Sequence, residues 1–395
     1  MTVRANKPAF NVREKLKELE RPIGLKGSEL MRAETTQEAR DFVSAGRKNM
    51  IINGGMNIFQ RNNSGLITSG TYLRQYAVDR FGGQFQAGNV FTAERADNDA
   101  PPGFRYSLKY TTTNAVTPNT LHYFHVGQAI EGYNFQQCGW NTSNPKHITL
   151  SFWVKSSVTG TWALAFRTGT SANTGYFAPY EINVANTWEY KTITVPPPPT
   201  LTDLQYTNSK ALTIQFDLGT SRSGDLYASA RNKWVNENIY ADASTVKIHG
   251  IAGATWQITG VQLEVGKNAT EFEHRSYGEE LALCQRYCFK IAYEGGTTSL
   301  GIGEAHSSTE IDLPIRWPVP MRSVPTLADQ GSGSDYYRIE GGGSTSWVDG
   351  NWNFQFGSTH GGNLYATPDA NLTAGRAHHI TMRNSAAYIS FSAEL

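Results

Sequence analysis

Val261, Leu263 and Val265 alternate with Gln262 and Glu264, the two-residue period of a strand with one buried face. Trp256 and Ile258 alternate in the opposite register, and Gly260 between the two runs marks a β-bulge. The strand stops at Gly266. A short exit leads to Ser276-Tyr-Gly-Glu279, a capping box that starts a helix. This stretch constrains the fold more than any other, because one strand closes what precedes it and hands the chain to a helix. It reads as the last strand of a β-sandwich and the hinge between two modules.

Strands precede it. Ile148, Leu150, Phe152 and Val154 alternate with Thr149, Ser151, Trp153 and Lys155. Trp162, Leu164 and Phe166 repeat the pattern. Trp188, Tyr190, Thr192 and Thr194 face away from Ile193 and Val195, and Leu212, Ile214 and Phe216 follow. Strands with turn signals at this spacing predict a sandwich. Asn49 to Arg61 reads as a strand, a Gly-Gly turn and a second short strand. Only 17% of the residues are charged, against 38 Gly, 19 Tyr, 18 Phe and 9 Trp, which suits turn-rich β modules and argues against global disorder.

The first 49 residues differ. Val12 to Glu20 and Thr36 to Ala45 have helical character, broken by Arg21-Pro22-Ile23-Gly24. Neither helix is long enough to stand alone in water. Phe10, Val12, Leu16, Leu19, Ile23 and Leu25 are therefore expected to contact a partner; the alternative is a frayed tail or a small self-packed cap. Beyond Ser276, the helix is expected to run to about Tyr287. Leu281, Cys284 and Cys288 form a narrow apolar stripe on it, flanked by Leu283 and Tyr287. That stripe packs either on its own domain or on symmetry copies at a three-fold axis. The remainder is a second β module. Phe289, Ile291 and Tyr293 alternate, Glu310 to Trp317 alternates, and two strands joined by Asn384-Ser385 close the chain. The expected organisation is thus a helical segment 1–49, a sandwich 50–275, a helical junction 276–290 and a β domain 291–395.

The passage Val261 to Tyr287, with its Gln-Leu-Glu-x-Gly and Phe-Glu-His-Arg-Ser-Tyr-Gly-Glu-Glu-Leu-Ala-Leu-Cys-Gln-Arg-Tyr, resembles one found in tail fibres and other tail proteins of short-tailed phages, marine and cyanobacterial ones especially. Looser echoes occur at Asn49 to Arg61 and at Pro314 to Pro325. The resemblance reports architecture rather than a ligand. It implies that the strand closes a jelly roll similar to carbohydrate-binding modules. It further implies a homotrimeric fibre of the virion, whose N-terminus docks on tail adaptor or nozzle proteins. In such a trimer Leu281, Cys284 and Tyr287 would line the three-fold interface.

Composition narrows the function. A net charge of +1 withholds the basic face that a nucleic-acid binder needs. No apolar run approaches ~18 residues and no secretory leader is read, so no membrane insertion and folding in the host cytoplasm are expected. Cys138, Cys284 and Cys288 make no disulfide framework. Cys284 and Cys288, with His274 as the nearby third group, make a poor zinc set, so no metal and no cofactor is expected. No Walker loop, His-Glu-x-x-His, Gly-x-Ser-x-Gly or Cys-x-x-Cys occurs. Glu264 and Glu304 read as solvated strand residues, and adjacent His378 and His379 point to opposite faces of a strand. Sugar binding fits better than catalysis. Sugar rings stack apolar C–H faces on aromatics and pair hydroxyls with carboxylates and amides. Tyr336, Tyr337, Trp347, Asp349, Asn351 and Trp352 offer that mixture on Gly-rich turns, although large aromatics are more often core. The expected function is a non-enzymatic tail fibre whose distal β domain recognises host surface polysaccharide such as lipopolysaccharide. The alternatives are a polysaccharide-degrading tailspike and a virion adaptor or decoration protein.

Overall fold

The computed structural model describes residues 48–395, apart from 62–64, 67–74, 87, 120, 169–173, 200–203, 222–225 and 342. The expected docking residues Phe10, Val12, Leu16, Leu19, Ile23 and Leu25 lie outside the described residues, as do both expected N-terminal helices. Residues 49–395 form one compact unit.

The first part of that unit is mainly β. Its strands are β1 (Gly65–Leu66), β2 (Gln75–Val78), β3 (Phe81–Phe85), β4 (Phe91–Asp97), β5 (Tyr106–Thr112), β6 (Phe124–Glu131) and β7 (Ile148–Ser156). They continue with β8 (Gly160–Thr168), β9 (Thr174–Ile182), β10 (Glu189–Val195), β11 (Lys210–Asp217), β12 (Trp234–Val235) and β13 (Thr255–Val265). One turn of helix, α1 (Gly132–Phe135), follows β6. The strands build a six-stranded sheet, β1-β4-β5-β13-β7-β10, and a seven-stranded sheet, β12-β9-β8-β11-β6-β3-β2. Phe152, Val154, Trp162, Leu164, Phe166, Phe216, Trp256, Ile258 and Leu263 share one buried cluster. This is a sandwich, consistent with a jelly roll. Removing a fully buried ring such as Trp256 would cost about 3–5 kcal/mol.

The closing strand β13 is last in sequence but central in its sheet, between β5 and β7. Its register against β7 slips between Thr259 and Gln262, and Gly260 sits there at φ +61°. The bulge expected at Gly260 is therefore present, and it explains why the two apolar runs have opposite parity.

Helix α2 (Tyr277–Gln285) starts as expected, with the Ser276 hydroxyl accepting from the Glu279 N–H at 3.3 Å. It leads into β14 (Cys288–Ala292), β15 (Thr298–Ser307), β16 (Glu310–Arg316), β17 (Thr326–Gln330) and β18 (Tyr337–Gly341). Then come β19 (Ser344–Val348), β20 (Asn353–Gln355), β21 (Gly361–Ala366), β22 (Ala377–Met382) and β23 (Tyr388–Ser392). They form a three-stranded sheet, β14-β23-β17, and a seven-stranded sheet, β19-β18-β22-β15-β16-β21-β20. A second cluster lies here, with Leu313, Trp317, Tyr337, Ile339, Trp352, Ile380 and Phe391. The last two strands, β22 and β23, are thus not a hairpin; they belong to different sheets.

Residues 49–61 correct the expectation of a strand, a Gly-Gly turn and a second strand, because they form no strand. Asn49 to Met56 is buried, yet its backbone bonds mostly to side chains instead of a ladder. The Ile52 N–H reaches Gln128 Oε1 (2.9 Å), the Asn53 N–H reaches Glu280 Oε1 (2.6 Å) and the Ile58 N–H reaches Asn53 Oδ1 (2.8 Å). Burial without sheet pairing is satisfied by polar side chains brought from far along the chain.

Candidate functional site

The six expected receptor-binding residues divide sharply. In the β18–β19 hairpin, Tyr337 stands opposite Val348, and Arg338 stands opposite Trp347. Cross-strand partners share a face. The first pair points into the core and the second points out. Tyr337 is fully buried, and its hydroxyl donates to the carbonyl oxygens of Gly331 (3.1 Å) and Tyr388 (2.7 Å). Trp352 is also core: its ring meets Tyr337 edge-on at 5.8 Å. The Gln330 amide clamps the Trp352 backbone from both sides, accepting from its N–H at 2.9 Å and donating to its carbonyl at 3.0 Å. Gly350, at φ +91°, lets that loop pass against Gly331 and Ser332, where a Cβ would collide. Tyr337 and Trp352 are thus corrected from ligand contacts to packing.

Four of the six stay at the surface. Asp349 and Asn351 are exposed, and Tyr336 and Trp347 are half-buried. The Arg338 guanidinium lies 5.8 Å from the centre of the Trp347 ring and pairs with Glu340 at 2.8 Å. Sequence reasoning missed Arg338, because only the hairpin register puts it beside Trp347. Edge strand β19 is held in place by Asp369, whose carboxylate accepts from the Ser346 hydroxyl (2.7 Å) and the Trp347 N–H (2.8 Å). Those two bonds lower the Asp369 pKa. The result is an indole on a fixed edge, with a guanidinium beside it and a carboxylate and an amide two and four residues on. Such a surface can stack a sugar ring and pair with its hydroxyls.

Two of the three residues expected at a three-fold interface, Cys284 and Tyr287, are not available to it. Cys284 and Tyr287 are fully buried within the chain, against Ile52 and Ile58, with Leu281, Leu283 and Leu395 packed around them. A side chain with no exposed surface cannot reach another copy. The stripe packs on its own chain because the irregular segment 49–58 and the C-terminal residue supply an apolar seat. Burial pushes the Cys284 and Cys288 thiols up, Cys288 to about 12, so both are neutral. His378 is buried and His379 exposed, so they do face opposite ways.

The Val261–Tyr287 passage is occupied internally. Glu264 is buried, correcting its reading as a solvated residue, and its carboxylate accepts from the Thr270 N–H (2.8 Å) and hydroxyl (2.7 Å). Gln262 donates to Glu264 at 2.9 Å and accepts from the Glu273 N–H at 2.8 Å. Arg275 donates to the carbonyls of Asn49 and Ile51 and pairs with Glu273 and Glu280. Glu131 takes Arg286 and the Tyr287 hydroxyl. These residues staple segment 49–58 to β13 and α2, so the expected hinge is pinned.

The chain matches no family profile and no curated protein. Among solved structures it is similar to the enzymatically active domain of tailspike protein 4 of bacteriophage CBA120, at 15% identity and TM-score 0.30, over 55% of this chain and 21% of that one. It is similar to a family 11 carbohydrate-binding module from Clostridium thermocellum, at 11% identity and TM-score 0.25, over 54% of this chain and 99% of the module. A third is described as a putative sugar binding protein from Bacteroides thetaiotaomicron, at 13% identity and TM-score 0.31, over 55% and 100%. The match thus spans about a fifth of the tailspike chain. Likenesses this distant fix neither a family nor an activity.

Proposed function

We propose that the protein is a structural, non-enzymatic component of a phage tail that holds polysaccharide on the host surface. The observation that supports it is the β19 edge, where Trp347, flanked by Arg338, is followed in the next loop by exposed Asp349 and Asn351. A guanidinium and a carboxylate beside an indole suit a sugar better than an apolar partner, whose contact would desolvate both charges without replacing their bonds. The phage setting rests on the resemblance of Val261 to Tyr287. On that reading residues 1–49 dock on the tail, three copies assemble, and weak sugar sites gain strength through avidity.

The test incubates purified full-length protein with host lipopolysaccharide or capsule. The expected result is retention on the polymer, no release of reducing ends, and loss of retention in Trp347→Ala. Light scattering should give three times the chain mass of 43.6 kDa. Reducing ends released by the wild type, or undiminished retention of Trp347→Ala, would overturn the reading.

A further inference from the structure

The sandwich carries three aromatic rings that its core does not use. Strand β10 is an edge of the six-stranded sheet. Its inward side chains include Ile193 and Val195, which pack on the core, while Tyr190, Thr192 and Thr194 alternate outward and are exposed. Tyr190 lies opposite Trp153 of β7, with ring centres 5.2 Å apart and planes tilted by 49°. Trp188 precedes β10 on the same face, since the Lys155 ammonium of β7 lies 5.1 Å from its ring centre. Tyr190 is 44% exposed, and Trp153 and Trp188 are half-buried. Positions two residues apart on a strand are roughly 7 Å apart, so Trp188 and Tyr190 follow one another along the sheet edge, with Trp153 beside Tyr190 on the neighbouring strand.

The row is built in advance. Trp153 packs against the Gly260 bulge, where an added Cβ would come within 3.1 Å of its ring and nearer still to the Phe104 ring. At the far end the Thr149 and Thr194 hydroxyls meet at 3.1 Å and donate to the carbonyls of Gly266 (2.9 Å) and Lys267 (3.0 Å). Fixed side chains lower the ordering cost of binding.

Chemistry selects the occupant. From Thr149 to Lys155 and from Trp188 to Thr194, every outward position is a ring, a hydroxyl or the one lysine; none is aliphatic. A nucleic acid would need several cations, and Lys155 is already paired with Asp99. An apolar protein face would bury the exposed Thr192 hydroxyl against groups that cannot bond it, whereas Thr149 and Ser151 of β7 are already buried. A sugar chain brings C–H faces for the rings and hydroxyls for the hydroxyls. We propose that the outward face of β7 and β10 is a second carbohydrate-binding surface, which takes successive sugar rings of a polysaccharide on Trp188, Trp153 and Tyr190. It is separate from the β19 edge and does not depend on it.

The experiment is affinity electrophoresis of the full-length chain through gels containing xylan, hydroxyethylcellulose, galactan or dextran. At least one polymer should retard the wild type. Trp188→Ala with Tyr190→Ala should weaken that retardation at least about tenfold, the loss expected when anchoring aromatics are truncated. Tyr190→Phe, which keeps the ring, should lose less than the double variant, and the double variant should lose as much in a Trp347→Ala background as in the wild type, which separates this surface from the β19 edge. Thr192→Lys, at an exposed position, is the second variant and should also weaken retardation by crowding the row. No retardation of the wild type by any of the four polymers, or equal retardation of the wild type and the Trp188/Tyr190 and Thr192 variants, overturns the proposal.

Discussion

The penultimate residue should hold far more stability than its position suggests. The Glu394 carboxylate accepts from Arg61 at 2.8 Å and from Arg80. Arg80 is 2% exposed, donates to the Ala129 carbonyl at 2.6 Å and lies 3.6 Å over the Tyr287 ring. Burial is the largest influence and works against its charge; Glu394, joined by Tyr287, Tyr76 and Cys284, more than offsets it, so the guanidinium pKa is raised. Glu394→Gln keeps the shape and removes the counter-charge. Breaking one partner of a buried pair costs about 3–5 kcal/mol, because the other charge stays buried and uncompensated. For the roughly 350 residues from Asn49 to Leu395, the unfolding entropy is about 0.7 kcal/mol/K. The midpoint of calorimetric unfolding should therefore fall by about 5 °C. A fall of less than about 1 °C would show that the pair gives no net stability and that the argument from burial fails.

Three further outcomes follow from the geometry. Trp352→Ala should destabilise by about 3–5 kcal/mol in chemical denaturation, while Trp347→Ala should stay within about 1 kcal/mol, since only the first empties core. Phe356 is 81% exposed yet held at φ +50°, so Phe356→Gly should raise stability by about 1 kcal/mol; a loss would mean the ring packs on something. Burial pushes the Asp217 carboxyl up to about 7 against hydrogen bonds from Thr220 and Gly219. The folded chain thus keeps a proton that the unfolded chain has lost, and this contribution is full below about pH 4 and disappears as pH rises through about 7. The melting temperature of Asp217→Asn relative to wild type should accordingly climb between those values, and a flat difference would refute the assignment. His249, lowered to about 4 by burial, acts with the opposite sign: its contribution is present above about pH 6.5 and is lost as pH falls through about 4.

What the sequence made legible was local. The bulge at Gly260, the cap at Ser276 and the alternation of β7 depend on neighbours within a few positions, and each is where the pattern put it. What stayed hidden depends on partners far along the chain. Asn49 to Arg61 has the composition of a hairpin, but its N–H groups are taken by Gln128, Glu273 and Glu280, so no ladder forms. The helix stripe looked unpartnered because its seat is made by Ile52, Ile58 and Leu395. Tyr336, Tyr337, Trp347 and Trp352 look alike in composition, and only the pairing of Tyr337 with Val348 sorts core from surface. The same parity applies in the sandwich, where Trp153, Trp188 and Tyr190 read as ordinary strand residues until the register of β7 and β10 puts them on one outward face. The passage that is most recognisable, Val261 to Tyr287, spends Gln262, Glu264, Arg275 and Glu280 on its own backbone and on segment 49–58. Groups already satisfied in this way have little left to offer a ligand. On the proposed function, specificity for a given sugar would then rest with the exposed residues of β10, β19 and the loop after it.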